Sequence, residues 1–229
     1  MSGVAKRAFD LVVATLALFA ALPLLLAAAL GIRLTSPGPV LYRATRVGRG
    51  NRPFTMFKLR TMHVHRPAAA GKVADSAITA KDDPRVFPLG ALLRRTKVDE
   101  LPQLLNVILG DMSLVGPRPE DPRFVAANYT PADLTTLDVR PGLTSPGSVW
   151  YYTSAEDELT TDDPERHYVE RVLPLKLALD RVYVHEVSVG YDIALIARTV
   201  RVLAALLLGS RRFAEPPEMP AARRLLAQS

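Results

Sequence analysis

Apolar positions fall into two regimes along this chain. Residues 11–30 are an apolar run of twenty residues without a charge, whereas beyond residue 31 apolar positions are interleaved with polar ones. At about 1.5 Å of rise per residue the run makes a helix about 30 Å long, matching the hydrocarbon core of a bilayer. Three arrangements compete for it: a secretory signal cleaved near Ala27-Ala28-Ala29, a simple span, and a helix that enters the bilayer and returns. Lys6 and Arg7 flank one end. Beyond the other, residues 31–60 carry Arg33, Arg43, Arg46, Arg49, Arg52, Lys58 and Arg60 and no acidic residue. Basic flanks favour the cytoplasmic side, so both ends belong there, which one straight span does not allow. Pro23 removes a helical hydrogen bond in the second half of the run and permits a bend. The expectation for residues 1–34 is a re-entrant membrane helix.

Residues 40–60 read as a β-hairpin. Val40-Leu41-Tyr42 and Phe54-Thr55-Met56-Phe57 suit strands, and Gly48, Gly50, Asn51 and Pro53 supply the turn. Residues 63–80 show little pattern and read as a loop, either a lid or a tolerated insertion. Leu101, Leu104, Leu105, Ile108 and Leu109 recur at helical spacing, predicting a helix from near Asp99 to Gly110. Pro117, Pro119 and Pro122 hold the next segment extended. The acidic stretch 156–170 reads as a solvated surface turn and helix. Residues 171–187 and 192–208 predict two helices. The second mixes Arg198 and Arg201 with Ile193, Ile196, Val200 and Leu203, which suits a core helix or, better, one lying at a headgroup layer. Residues 210–229 hold three prolines and read as a flexible tail. The expected fold is α+β and mostly helical: a re-entrant helix, a β-hairpin, and a compact catalytic domain over residues 35–209 with interfacial amphipathic helices.

Composition sharpens this picture. The 229 residues suffice for one domain of ordinary size. They are 48% hydrophobic with 23% charged, a combination that implies apolar surface covered by something other than protein. A net charge of +6 points to anionic partners: phosphates, nucleic acid or acidic lipid. The absence of cysteine excludes disulfides and thiolate metal sites.

The densest chemistry lies in Arg94-Arg95-Thr96-Lys97-Val98-Asp99-Glu100-Leu101-Pro102-Gln103, followed by Gly116-Pro117-Arg118-Pro119. Adjacent carboxylates at a helix start also serve as plain caps. Their company argues for more. Three basic residues stand just upstream, and an arginine is held between two prolines downstream. Cations crowded against carboxylates suit phosphoryl transfer, where a carboxylate attacks phosphorus or binds Mg²⁺. An anion approaching a diphosphate needs a divalent metal and guanidinium groups to neutralise it. A helix N-terminus would keep Asp99 ionised and nucleophilic. Neighbouring helical residues point about 100° apart, so one carboxylate can face phosphorus while the other holds metal or a proton.

These motifs together resemble the bacterial sugar transferase family, the small monotopic phosphoglycosyl transferases. The resemblance rests on Asp99-Glu100-Leu101-Pro102-Gln103, Asn106, Gly110-Asp111-Met112-Ser113 and Gly116-Pro117-Arg118-Pro119. It extends to Lys6-Arg7 with Phe9-Asp10, Ser36-Pro37-Gly38-Pro39-Val40, Phe57-Lys58-Leu59-Arg60-Thr61-Met62, Asp83-Pro84-Arg85 and Arg140-Pro141-Gly142-Leu143-Thr144, in order along nearly the whole chain. It implies a re-entrant membrane helix, Mg²⁺ dependence and a covalent aspartyl-phosphosugar intermediate formed with release of a nucleoside monophosphate. It assigns Asp99 as nucleophile and Glu100 as metal ligand, with a further role in deprotonating the polyprenyl phosphate. Arg94, Pro117 and Arg118 fall at substrate positions, with Lys58, Arg60, Asp83, Arg85 and Arg140 as lesser candidates. The implied substrates are a nucleotide sugar, with UDP as the expected carrier, and undecaprenyl phosphate. Anionic lipid of a bacterial inner membrane is the implied partner surface, with the catalytic domain on its cytoplasmic face, and the resemblance leaves room for a homo-oligomer. Where many members read Gly-Trp-Ala-Gln, this chain reads Ser145-Pro146-Gly147-Ser148, which bears on the sugar transferred. The competing functions are another membrane-bound phosphodiesterase or nucleotidyl transferase, a non-catalytic scaffold of glycan assembly, and nucleic-acid binding. Retention of Asp99 and Glu100 speaks against a scaffold. The basic stretch beside an apolar segment, with no nucleic-acid motif, is better matched to lipid headgroups.

Overall fold

A computed structural model describes residues 3–64, 83–155, 164–210 and 212–228. The expected loop over 63–80 lies almost wholly outside the described residues, as does the first half of the acidic stretch at 156–163.

The apolar run forms α1 (Gly3–Thr35), one helix that continues through Pro23. It is long and apolar enough to cross a membrane by length and composition. Its buried residues are Asp10, Ala14, Ala28 and Ile32, a stripe of helical spacing. Ala14 packs with Met56, Leu104 and Val107, and Ala28 and Ile32 pack with Leu59, Phe87 and Leu93. Both ends of α1 therefore rest on the remainder of the chain. The other faces stay apolar and open, with Phe19 75% and Leu16 66% exposed.

The predicted hairpin forms as β1 (Leu41–Val47) and β2 (Pro53–Leu59), antiparallel from Leu41 opposite Leu59 to Val47 opposite Pro53. Its turn needs positive φ at Gly50 (66°) and Asn51 (60°), the residue types that tolerate it. Then come α2 (Pro88–Arg95) and α3 (Gln103–Leu109). Gly110, at φ 99°, ends α3 in the left-handed conformation, as its position predicted. The guanidiniums of Arg7 and Arg140 bind the carbonyls left over at that end: Arg7 those of Val107 and Ile108, Arg140 that of Gly110. Two short strands, β3 (Ser113–Val115) and β4 (Gly142–Thr144), pair in parallel. They are joined through α4 (Pro122–Asn128). A Cβ on Gly142 would sit 2.1 Å from the Gly116 nitrogen, so only glycine fits where the chains cross.

The C-terminal half is helical: α5 (Pro146–Trp150), α6 (Pro164–His167), α7 (Leu173–Glu186) and α8 (Val189–Leu207). The predicted pair of helices is α7 and α8. Only Asp192 and Leu195 of α8 are buried, while Ile193, Val200 and Leu207 are exposed. The expected solvated stretch is only partly so, because Tyr168 enters the core. Residues 210–229, expected as a flexible tail, differ more. Met219–Ala227 form α9, and Met219 and Ala222 pack on Ala178, Leu179 and Val182 of α7. Glu218 is buried and takes both Arg198 nitrogens at 2.7–2.8 Å and the Tyr191 hydroxyl. Three prolines obscured this in the sequence, but Pro220 falls in the first turn of α9, where proline is compatible with a helix.

A buried polar knot ties α1 to the site-bearing strands. Asp10 accepts from Ser113 Oγ at 2.8 Å and from the Leu114 amide at 3.2 Å. Lys6 pairs with buried Asp192, which Tyr183 also engages. Asp10→Ala strands two buried donors and is expected to cost about 1–3 kcal/mol of stability. Leu16→Ala, on the open face, should change it by under about 0.5 kcal/mol. Thermal unfolding of detergent-solubilised protein measures both, and equal effects would contradict this packing.

Candidate active site

The site forms where α2, β2, the turn after β3 and the segment after α5 converge. After α2 the chain turns at Lys97, whose φ of 56° is unusual for a residue with a Cβ. One turn of 3₁₀ helix, Val98–Glu100, follows. Leu101 and Pro102 stay right-handed, and α3 begins at Gln103. The helix expected from near Asp99 thus begins as 3₁₀, with Asp99 in its first turn, and becomes α-helical four residues later.

Glu100 is the fixed member of the carboxylate pair. Its Oε1 accepts from Lys58 Nζ at 3.0 Å and from Arg118 Nη2 at 2.7 Å, and its Oε2 accepts from Arg118 Nη1 at 3.2 Å. Arg118 thus grips it with both prongs, the geometry that makes arginine–carboxylate pairs strong and specific. Burial alone would raise the Glu100 carboxyl. Arg118 and Lys58 outweigh burial and hold it well below the usual carboxylate range. Burial pushes the Lys58 ammonium down, with Glu100 opposing.

Asp99 is the unfixed member. It is buried, and its Oδ1 has no hydrogen-bond partner. Burial first, then the charge on Glu100, push its carboxyl up from 3.8 to about 6, against the pull of Lys58, Arg94 and Lys97. Whatever a helix terminus contributes toward the Asp99 anion, desolvation beside a like charge is the larger effect and raises the carboxyl.

The other predicted residues divide. Arg94 Nε donates to Thr61 Oγ1 at 2.8 Å and interacts with Asp99 electrostatically. Asp83 and Arg85 form a forked pair at 2.7–3.1 Å beside Arg94, at the margin of the site. Arg60 points elsewhere: buried, it donates to Ser36 O and Oγ and to Pro39 O, locking the connector after α1. Arg140 sits at the far end of α3, bonded to Gly110 O. The Pro117 carbonyl accepts from Gly142 N, which places Pro117 in the strand crossing. A substrate role for these three has no support in their contacts. Sequence reasoning missed Tyr152, whose hydroxyl lies 3.3 Å from Arg118 Nη1 and whose ring lies 4.0 Å beneath Lys97 Nζ. No spacing rule would have brought it there.

The donor set can be tested for a cation. No group of three or more His, Asp or Glu capable of holding a metal occurs among the described residues. Asp99 Oδ1 is unpartnered, and Glu100 Oε2 accepts one hydrogen bond where two are possible. Two carboxylate oxygens suit Mg²⁺ of the kind completed by substrate phosphates and water, and do not make a closed cage.

The raised Asp99 carboxyl carries a stability consequence. Between about pH 4 and 6 the folded chain keeps this proton more tightly than the unfolded chain, so ionising Asp99 costs stability as pH rises through that window and stays lost at pH 7. Asp99→Asn should therefore stabilise the protein at pH 7, on the order of 1–3 kcal/mol, and the gain should vanish toward pH 4. Thermal midpoints of both proteins across pH check this, and a variant less stable at pH 7 would refute it.

The profile of the bacterial sugar transferase family matches residues 1–205. The chain is 40% identical over 201 residues to the UDP-glucose:undecaprenyl-phosphate glucose-1-phosphate transferase of Caulobacter vibrioides, an alignment covering 85% of this chain and 68% of that protein. The Escherichia coli protein of the same description is 36% identical over 201 residues, covering 85% of this chain but 39% of its own length. The exopolysaccharide production protein ExoY of Sinorhizobium fredii is 34% identical over 212 residues, covering 87% of this chain and 85% of its own. Matched from α1 to within a few residues of the end of α8, the chain belongs to the bacterial sugar transferase family.

Proposed function

We propose that this chain transfers a sugar-1-phosphate from a nucleotide sugar to undecaprenyl phosphate, with Asp99 as the nucleophile. The observation that carries the reading is the asymmetry of the carboxylate pair: Glu100 locked by Lys58 and Arg118, Asp99 adjacent and unlocked. Relatives named as UDP-sugar-dependent undecaprenyl-phosphate transferases support the substrate classes, and one named as an exopolysaccharide production protein supports the setting. UDP is the expected carrier and UMP the leaving nucleotide.

In the first step an Asp99 oxygen forms a bond to the phosphorus that bears the sugar. The bond from that phosphorus to the nucleoside monophosphate breaks, and the monophosphate leaves with the electron pair. In the second step an oxygen of undecaprenyl phosphate attacks the same phosphorus. The Asp99 carboxylate leaves, and a polyprenyl diphosphate sugar forms. Arg118, Lys58 and Arg94 hold phosphate oxygens and offset their charge. Tyr152 steadies Arg118 through its hydroxyl and Lys97 through its ring. Asp99 Oδ1 and Glu100 Oε2 would hold Mg²⁺ jointly with the substrate phosphates, and the ion would neutralise the diphosphate.

Residence at the cytoplasmic face of a bacterial inner membrane is part of this proposal. Support comes from α1, whose two ends lie on the catalytic domain while residues 19–24 between them are almost all exposed. Such an arrangement suits a re-entrant helix, and the apolar face of α8 suits contact with anionic lipid.

Membranes given Mg²⁺, undecaprenyl phosphate and a panel of nucleotide sugars should release nucleoside monophosphate with at least one donor. With labelled donor and no lipid acceptor, label should appear on the polypeptide. Asp99→Asn should show neither, and full turnover by that variant would remove Asp99 from its role. Turnover of the parent should also fall as pH drops through about 6, because only the ionised Asp99 attacks. A rate flat from pH 7 to 5 would contradict that requirement.

A further inference from the structure

The side chain of Gln103 is 1% exposed, and its Nε2 has no hydrogen-bond partner. Buried donors without acceptors are rare and call for an explanation. Its position is specific. Backbone from Val98 to Leu109 stays right-handed, first as 3₁₀ and then as α helix. Glu100, Gln103 and Asn106 recur every three residues and share one face. Both flanking members reach β2. Asn106 donates to Thr55 O and accepts from the Phe57 amide, and Glu100 takes Lys58. Gln103 is thus bracketed between two contacts with the strand, three residues beyond Glu100. Four residues earlier stands the other orphan of the same segment, Asp99 Oδ1, an acceptor without a donor. The two lacks are complementary.

We infer that Gln103 is a positioning residue for the nucleophile: a side-chain rotation sets its Nε2–H on Asp99 Oδ1 and leaves Oδ2 facing phosphorus. One hydrogen bond then gives both orphans a partner and fixes the plane of the carboxylate, while the second lone pair of Oδ1 stays open to the cation. In the intermediate the P–O bond is made by Oδ2, and Oδ1 becomes the carbonyl oxygen, still an acceptor for Gln103. When the lipid phosphate oxygen attacks, the bond from Oδ2 to phosphorus breaks and its electron pair returns to the carboxylate. This inference rests on Asp99 being the nucleophile.

Gln103→Met keeps length and volume and removes the donor. Loss of positioning should lower kcat about a hundredfold and slow labelling of the chain in parallel, with donor KM within about threefold of the parent. The thermal midpoint should change little, because one hydrogen bond is lost while the buried volume is kept. Gln103→Leu serves as a second apolar variant should methionine pack badly. A kcat within threefold of the parent overturns the inference. So does a lowered midpoint in both variants with activity falling in proportion to the folded fraction, which would make Gln103 structural. An inactive Asp99→Asn beside a fully active Gln103→Met removes the inference alone, whereas an active Asp99→Asn removes the nucleophile assignment beneath it.

Discussion

Two carboxylates on consecutive residues repel each other, and taking both out of water costs more than the repulsion. The fold around Asp99 and Glu100 is arranged against that cost, unevenly. Lys58 from β2 and Arg118 from the Pro-Arg-Pro turn converge on Glu100, so its charge is held by two cations. Asp99 receives only the longer-range pull of Lys58, Arg94 and Lys97. Like-charged neighbours thus acquire opposite characters from a single cluster, one an anchor and the other a reactive group. Strain at Lys97 belongs to the same arrangement, because its left-handed backbone turns the chain out of α2 and into the site.

The cluster stands on a scaffold that is continuous with the membrane helix. Asp10 of α1 holds β3 through Ser113 and Leu114, and β3 runs into the turn that carries Arg118. Asn106 of α3 holds β2 at Phe57, the residue before Lys58. The apolar helix and the cations that grip Glu100 are therefore separated by only a few rigid contacts. A chemistry that joins a water-soluble donor to a lipid acceptor needs its phosphate-binding groups fixed relative to the bilayer surface, and this linkage supplies that.

Local periodicity and turn chemistry were legible in the sequence. The hairpin, the end of α3 at Gly110, and the α7–α8 pair all follow from spacing and from residues that tolerate positive φ. The pairing of distant charges was not. Arg60, Arg118 and Arg140 look alike in the chain, each a lone arginine in a short motif. One is buried under the connector, one grips Glu100, and one binds the carbonyl end of α3. Which does which depends on contacts between residues 18 to 30 positions apart, and no local pattern encodes them. The raised Asp99 carboxyl was hidden for a related reason: the sequence shows the neighbouring cations but not the depth of burial.

The family match ends at residue 205, yet the folded unit does not. Met219, Ala222 and Leu225 of α9 cover α7 beside Trp150, the last residue of α5, which leads into the stretch carrying Tyr152. Glu218 is the acceptor for both Arg198 and Tyr191 on α8. A chain cut at the homology boundary would leave that guanidinium and phenol without their carboxylate and bare the underside of the aromatic wall. Boundaries for expression or for domain grafting in this protein are better drawn after residue 227, with any affinity sequence appended there and not in place of the last helix.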